Sequence, residues 1–218
     1  MRKQRPRGSI TRDAVVNAAL AVTDRDGVER LTIRAVADAL GAPPMSLYTH
    51  FANKSELLDL MYAEIARRAY LYEGHESWQS ELLALAHRIR SLLTEHPHWT
   101  PLLARPVPPL EVTLREQVLR LMVADQMSSI DALMGLSSVA LTSIGLMLVE
   151  STLQGPEQES VLAKRFERLK EWVEAADADE HQVTRAALSN VARFQFDPVF
   201  QFAIHSLITG LEAKRAKK

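Results

Sequence analysis

The chain contains no cysteine in its 218 residues, which removes disulfides, thiolate nucleophiles and cysteine-bound zinc together and suits a reducing compartment. It also lacks a glycine-rich phosphate loop, a serine nucleophile elbow and a His-Glu-x-x-His zinc motif, so no catalytic chemistry is expected of it, and neither a cofactor nor a metal. No Asn-Gly or Asp-Gly turn sits between alternating runs, which argues against hairpins and sheets. No unbroken apolar stretch follows the basic start, so a secretory leader is not read here and the expected location is the cytoplasm. Excess charge of one sign is missing too: the formal net charge is -1, and a nucleic-acid partner is not announced globally.

Locally the balance differs, since the first twelve residues hold Arg2, Lys3, Arg5, Arg7 and Arg12 and no acid. With 47% hydrophobic and 24% charged residues the chain has enough apolar surface to fold, and its periodicity is helical throughout. Thr11 is placed to cap a first helix whose Val15, Ala18, Ala19 and Val22 share one face, and Gly27 to end it in a left-handed conformation. Thr32 caps a second, with Ile33, Val36, Ala37 and Leu40 on its face and Gly41 at its end. Pro43 and Pro44 suit the first turn of a third helix over 45–51, of roughly two turns.

Asn53-Lys54-Ser55-Glu56 reads as a capping box opening a fourth helix, with Leu57, Leu58, Met61, Ile65 and Ala69 as its stripe. That helix is long enough to pass from one domain into the next. Trp78, Leu82, Leu85, Ile89 and Leu92 mark a fifth, ending before Pro97, and the proline-rich stretch 97–109 is read as irregular with one short helix. Further helices are expected over 110–125, 130–153, 157–176, 180–194 and 198–214, with 175–180 as a flexible loop. The uncharged run 132–149 approaches membrane-spanning length, but it carries Ser137, Ser138, Thr142 and Ser143 and has no basic flank, so burial at a subunit interface is the expectation. There, 130–153 offers apolar residues with small Ala132, Gly135, Ala140 and Gly145 between them, and the last helix offers Phe200, Ile204, Leu207, Ile208 and Leu211. Together they would make a four-helix dimer interface. That both merely fill one subunit's core stays open.

The second and third helices with their tight turn form a helix-turn-helix unit, whose second helix lies in the major groove. Within it Leu47 and Phe51 face the core, leaving Pro44, Met45, Ser46, Tyr48, Thr49 and His50 outward. Tyr48 and His50 suit phosphates, Ser46 and Thr49 bases or backbone, and Pro44 or Met45 a thymine methyl, while Lys54 at the next helix start suits another phosphate. An ordinary three-helix bundle without DNA is the open alternative.

The run Leu31-Thr32-Ile33-Arg34, Val36-Ala37-Asp38-Ala39-Leu40-Gly41, Ser46-Leu47-Tyr48, His50-Phe51, Asn53-Lys54 and Leu57-Leu58-Asp59 resembles the DNA-binding domain of the tetracycline-repressor (TetR) family. Glu76-Ser77-Trp78-Gln79, Arg105-Pro106 and Gly210-Leu211-Glu212 are similar to its founding subgroup. The resemblance implies an all-α subunit, with a helix-turn-helix domain and basic arm over 1–65 and an effector-binding and dimerisation domain over 66–218. It implies a homodimeric repressor on a palindromic operator, released by a small molecule, with Thr32, Arg34, Ser46, Tyr48, His50 and Lys54 on DNA. Ile33 and Thr49 depart from the founding member, a hydroxyl-bearing residue and a tryptophan being usual there, so a different operator is expected.

Thr113 and Gln117 lie one turn apart on an otherwise apolar helix and are candidate effector anchors. Arg105, Pro106, Thr113 and Gln117 also recur at the spacing the founding subgroup uses around its drug. That subgroup's metal-ligating histidine is replaced by Pro101, so a small hydrophobic effector is expected rather than a magnesium–drug chelate. Trp78 and Trp99 are candidate cavity walls. His96 and His98 lack a third ligand and are read as surface histidines. The competing readings are a helical protein-interaction module and a DNA-binding regulator without an effector.

Overall fold

The computed structural model describes residues 10–103, 113–152, 156–176, 181–189 and 195–215, which form eleven α-helices and two single 3-10 turns with no strand. Among the expectations, the arm Arg2, Lys3, Arg5 and Arg7, the pair Arg105 and Pro106, and the side chain of Thr113 lie outside the described residues. Helix α1 (Arg12–Asp26) begins where Thr11 Oγ1 accepts the Ala14 amide at 3.1 Å. Gly27 ends it at φ +81°, ψ 157°, which is positive in φ but not the left-handed helical cap expected, because the chain turns away into the 3-10 turn Val28–Arg30.

Helix α2 (Ile33–Leu40) is capped by Thr32 Oγ1 on the Ala35 amide at 3.1 Å. It closes in a Schellman motif at Gly41 (φ +66°, ψ 33°), with the Ala42 amide on the Ala37 carbonyl at 3.0 Å and the Gly41 amide on the Asp38 carbonyl at 3.2 Å. Helix α3 is Pro44–Leu47, one turn rather than two, followed by a turn through His50. Two local competitors shorten it: Ser46 Oγ donates to the Pro43 carbonyl at 2.7 Å and Thr49 Oγ1 to the Ser46 carbonyl at 2.9 Å, while backbone bonds of i to i-3 type replace the α ladder. Helix α4 (Lys54–Ala69) starts with Asn53 Oδ1 on the Glu56 amide at 3.0 Å; Glu56 Oε2 reaches back one residue further than the usual box, to the Ala52 amide at 2.6 Å. Its buried face is Leu57, Leu58, Met61, Tyr62, Ile65, Ala66 and Ala69.

Helix α5 (Trp78–Glu95) buries Trp78, Leu82, Leu85, Ile89 and Leu93, then a 3-10 turn over Pro97–Trp99 leads into α6 (Thr100–Leu103). Trp99 is fully buried, stacks on the His96 ring at 3.7 Å between centroids, and donates its indole N–H to the Leu20 carbonyl of α1 at 3.4 Å. His96 Nδ1 lies 3.1 Å from Asp24 Oδ1 and His98 Nδ1 2.8 Å from the Asp24 carbonyl. His98 is exposed as expected and His96 is half-buried, contrary to its reading as a surface group; with Trp99 both contact the end of α1 and join the first helices to the rest of the chain.

Helices α7 (Thr113–Ala124), α8 (Ser129–Thr152), α9 (Pro156–Ala175), α10 (Gln182–Ser189) and α11 (Phe196–Arg215) follow. Helix α8 packs on α5, α6, α7 and α11. It is long and apolar enough to cross a membrane by composition, yet Ala132, Leu136, Val139, Ala140, Ser143 and Met147 are buried within the helical domain. A Cβ on Gly135 would fall 2.7 Å from Leu211 Cδ2, so this glycine lets α8 and α11 approach closely. Ala132, Gly135, Ala140, Phe200, Ile204 and Ile208 thus serve packing inside one chain, and not the intersubunit seam expected of them.

Gln126 takes the left-handed conformation (φ +66°) that ends α7, a position no glycine marks in the sequence. Beside it Asp125 accepts the Trp78 indole N–H at 2.8 Å and pairs with Arg215 at 2.6 Å, tying the start of α5 and the end of α11 to the α7–α8 turn. These two partners, the indole first, hold the Asp125 carboxyl below its usual range. A lowered folded-state value means that the contribution is present above the ordinary carboxylate range and is lost as pH falls through that lowered value. Urea midpoints should show Asp125→Asn less stable than wild type near about pH 6, with the difference shrinking toward about pH 3.

Candidate nucleic-acid interface and effector cavity

The short α3 is mounted by two buried side chains, Leu47 and Phe51, packed into the core that α1, α2 and α4 share. Both were expected to face inward. What remains outward is Pro44, Met45, Tyr48 and Thr49, all exposed, with Ser46 and His50 half-buried beside them. Met45 is 76% exposed, an exposure without a role in this subunit's packing. Tyr48 leans on Phe51 with ring centroids 5.8 Å apart, so its phenol is braced at its base and free at its tip.

The hydroxyl protons of Ser46 and Thr49 are committed to carbonyls, which leaves their oxygens as acceptors outward. Thr32 and Arg34 are exposed at the start of α2, and Lys54 is exposed at the start of α4. Thr32 Oγ1 serves as the helix cap expected of it.

A small cavity of about 10 Å³, room for a single water, lies where α4 ends against α5, α7 and α8. Tyr70, Leu71, Glu81, Leu85, Arg88, Arg115, Val118 and Leu136 line it. Arg88 is held there: Nη1 donates to the Ala69 carbonyl at 2.9 Å and the Leu71 carbonyl at 2.5 Å, and Nε to Glu73 at 3.1 Å, while Nη2 is in the Glu73 ion pair without a hydrogen bond of its own. This pairing holds the Glu73 carboxyl below its usual range. Arg115 lies over the Tyr70 ring at 5.2 Å, and burial pushes the Tyr70 phenol up, Arg115 opposing it. A second, open cavity of about 440 Å³ lies between α5 and the start of α11, where Arg90 is already paired with Asp197 and Glu150.

Neither cavity is lined by the candidate walls Trp78 and Trp99, which are interior packing residues with their indole N–H groups satisfied within the chain. Gln117 is exposed, because the inward face of α7 is Arg115, Val118 and Met122. Arg88 and Arg115 went unnoticed in the sequence, since surface arginines on helices look the same as inward ones. The i, i+3 spacing of Arg115 and Val118 was the available signal. Among the described residues no cluster of His, Asp or Glu could hold a metal.

The profile described as "Bacterial regulatory proteins, tetR family" matches residues 15–61, and "Tetracyclin repressor-like, C-terminal domain" matches residues 72–215. The chain belongs to the TetR family. It is a helix-turn-helix, DNA-binding transcriptional repressor of that family and not an enzyme. An HTH-type transcriptional regulator of Saccharopolyspora erythraea is 30% identical over 173 residues, 78% of this chain and 73% of that one. The class D tetracycline repressor of Escherichia coli is 30% identical over 210 residues, 94% of this chain and 90% of that one. In fold, the Streptomyces coelicolor TetR-family protein ActR, solved with actinorhodin, superposes with a TM-score of 0.79 at 22% identity, covering 95% of this chain and 97% of ActR.

The TetR-type reading surface depends on Leu47, a side chain with no exposed area that seats α3. Leu47→Ala should cost about 2–5 kcal/mol of stability. Denaturant unfolding measures it, and a cost under about 1 kcal/mol would mean that α3 is not anchored as described.

Proposed function

We propose that this TetR-family repressor binds a palindromic operator as a homodimer and leaves it when a small, largely apolar organic molecule enters the cavity between α4, α5, α7 and α8. The observation that carries the DNA half is the set Pro44, Met45, Ser46, Tyr48, Thr49 and His50 on α3 and the turn after it, exposed or half-buried where Leu47 and Phe51 are buried, with Thr32, Arg34 and Lys54 exposed on the neighbouring helices. Such a surface has hydroxyl acceptors and apolar atoms for base edges and a cation for phosphate. The basic residues Arg2, Lys3, Arg5 and Arg7 would add sequence-independent attraction.

Dimerisation is supported by the outer faces of α8 and α11. On α8, Ile130, Leu133, Met134, Ser138, Leu141, Gly145 and Val149 are exposed and recur at helical spacing without a charge. On the adjacent α11, Val199, Phe202, His205, Ser206, Thr209 and Gly210 are exposed in the same way, and Phe202 reaches 77% exposure. Two helices side by side with uncharged, apolar outer faces are a surface that a monomer in water rarely keeps. A second copy placed face to face would complete a four-helix bundle and fix the distance between the two α3 helices.

The effector half rests on the cavity's position. It touches α4, which carries the DNA-binding helices at its other end, so a ligand that widens it acts on their spacing. That ActR, of the same fold, is seen with actinorhodin supports a small-molecule effector for this chain as well.

Two measurements test these parts separately. Phe202→Glu should convert the protein to monomer in analytical ultracentrifugation and abolish operator retention in a gel shift; a Phe202→Glu dimer would overturn the α8–α11 interface. Lys54→Ala should weaken operator binding across sequences and flatten the slope of log affinity against log salt by about two units per dimer. Adding Tyr48→Ala should weaken it at least tenfold more, and unchanged binding by the double variant would remove these residues from the DNA contact.

A further inference from the structure

Two arginines line the cavity between α4, α5, α7 and α8. Arg88 directs Nε and Nη1 to Glu73 and to the carbonyls of Ala69 and Leu71, and its Nη2 sits in the Glu73 ion pair. Arg115 has no carboxylate of that kind. Its Nε is buried without a hydrogen-bond partner, and no carboxylate among the described residues lies within ion-pair distance of it. Its face is occupied by the Tyr70 ring at 5.2 Å and it shares a side-chain hydrogen bond with Tyr70, so the guanidinium is held in place while its Nε stays unmatched.

A buried donor on a cation without an acceptor is an unusual thing for a folded chain to keep, and it usually marks a ligand or a functional group. The chemistry that satisfies it is specific. The Nε and Nη edge of a guanidinium matches the two oxygens of a carboxylate in parallel hydrogen bonds, a geometry that a carbonyl or hydroxyl cannot reproduce. The other walls, Leu85, Val118 and Leu136, are apolar, and Tyr70 presents an aromatic ring. Glu81, buried on α5 with its carboxylate on the His75 amide at 2.7 Å, disfavours a second acidic group.

We infer that the effector is an organic monoacid: an apolar, ring-sized body inserted between α5, α7 and α8, with its single carboxylate received by Arg115 beside Tyr70. This rests on the reading of the cavity as the effector site and names the ligand class that it takes. With free space for only one water, the cavity has to open to admit such a body, so binding and displacement of α7 from α4 and α5 are one event.

The test uses the full-length protein and a matched pair of probes, 2-naphthoate and 2-naphthamide, which differ in charge and hardly in shape, titrated by calorimetry. Wild type should bind the acid at least tenfold more tightly than the amide. Arg115→Met should erase that preference by weakening the acid alone, and Arg115→Lys, which keeps charge but loses the fork, should give an intermediate ratio. Arg120→Met, on the exposed side of α7, should leave both affinities unchanged. Equal binding of acid and amide by wild type, or an undiminished preference in Arg115→Met, would overturn the monoacid assignment while leaving the cavity as the effector site. Binding of neither probe to wild type would overturn the cavity itself as the effector site. A thermal melt checks that Arg115→Met folds, and should the methionine variant not fold, the ratio in Arg115→Lys decides.

Discussion

A helix that is apolar on two faces has to be covered twice, and α8 imposes that constraint on the whole subunit. Its inner face is covered by α5, α6, α7 and α11, with Gly135 thin enough for Leu211 to lie against the backbone. Its outer face, from Ile130 to Val149, has no cover from the other described helices that would take it out of water. The cost of leaving so much apolar surface exposed makes association the natural resolution. Were two copies to meet there, as proposed, rigid helix packing would set the separation of the two α3 helices, and that separation the spacing of the operator half-sites.

Two connections join the first four helices to the later ones. One is α4 itself, pinned at its end by Arg88 through the carbonyls of Ala69 and Leu71. The other is the grip of His96, His98 and Trp99 on Asp24 and Leu20 at the end of α1, reinforced by Arg68 over the Trp99 ring at 5.4 Å. The cavity borders the first connection directly. A body that enters it meets the α4 end before anything else that touches DNA, which is how a small displacement would become a change of angle for α3.

Local chemistry was readable wherever it was complete within a few residues. Thr11, Thr32 and Asn53 cap their helices because a side-chain oxygen three residues before a free amide needs no distant partner. Leu47 and Phe51 face inward because helical spacing leaves them one option. Signals that depend on competition were misread: α3 is one turn long because Ser46 and Thr49 bond to carbonyls that a longer helix would use. Gln126 adopts a conformation usually given to glycine, since the two bonds that close α7, and not the residue type, demand it.

Helix class, the N-terminal caps, the helix-turn-helix and the family resemblance were legible along the chain, because each rests on residues close in sequence. Tertiary packing set the partners of the two cavity arginines, because Arg88 meets carbonyls and Glu73 whereas Arg115 meets the Tyr70 ring and keeps Nε unmatched. It likewise turned Gln117 outward, made Trp78 and Trp99 interior anchors, and set His96 and His98 against α1. It also divided α8 and α11 into an inner face already used and an outer one still to be covered. Periodicity shows that a helix has an apolar side; which neighbour covers it is a property of packing, and packing is not local.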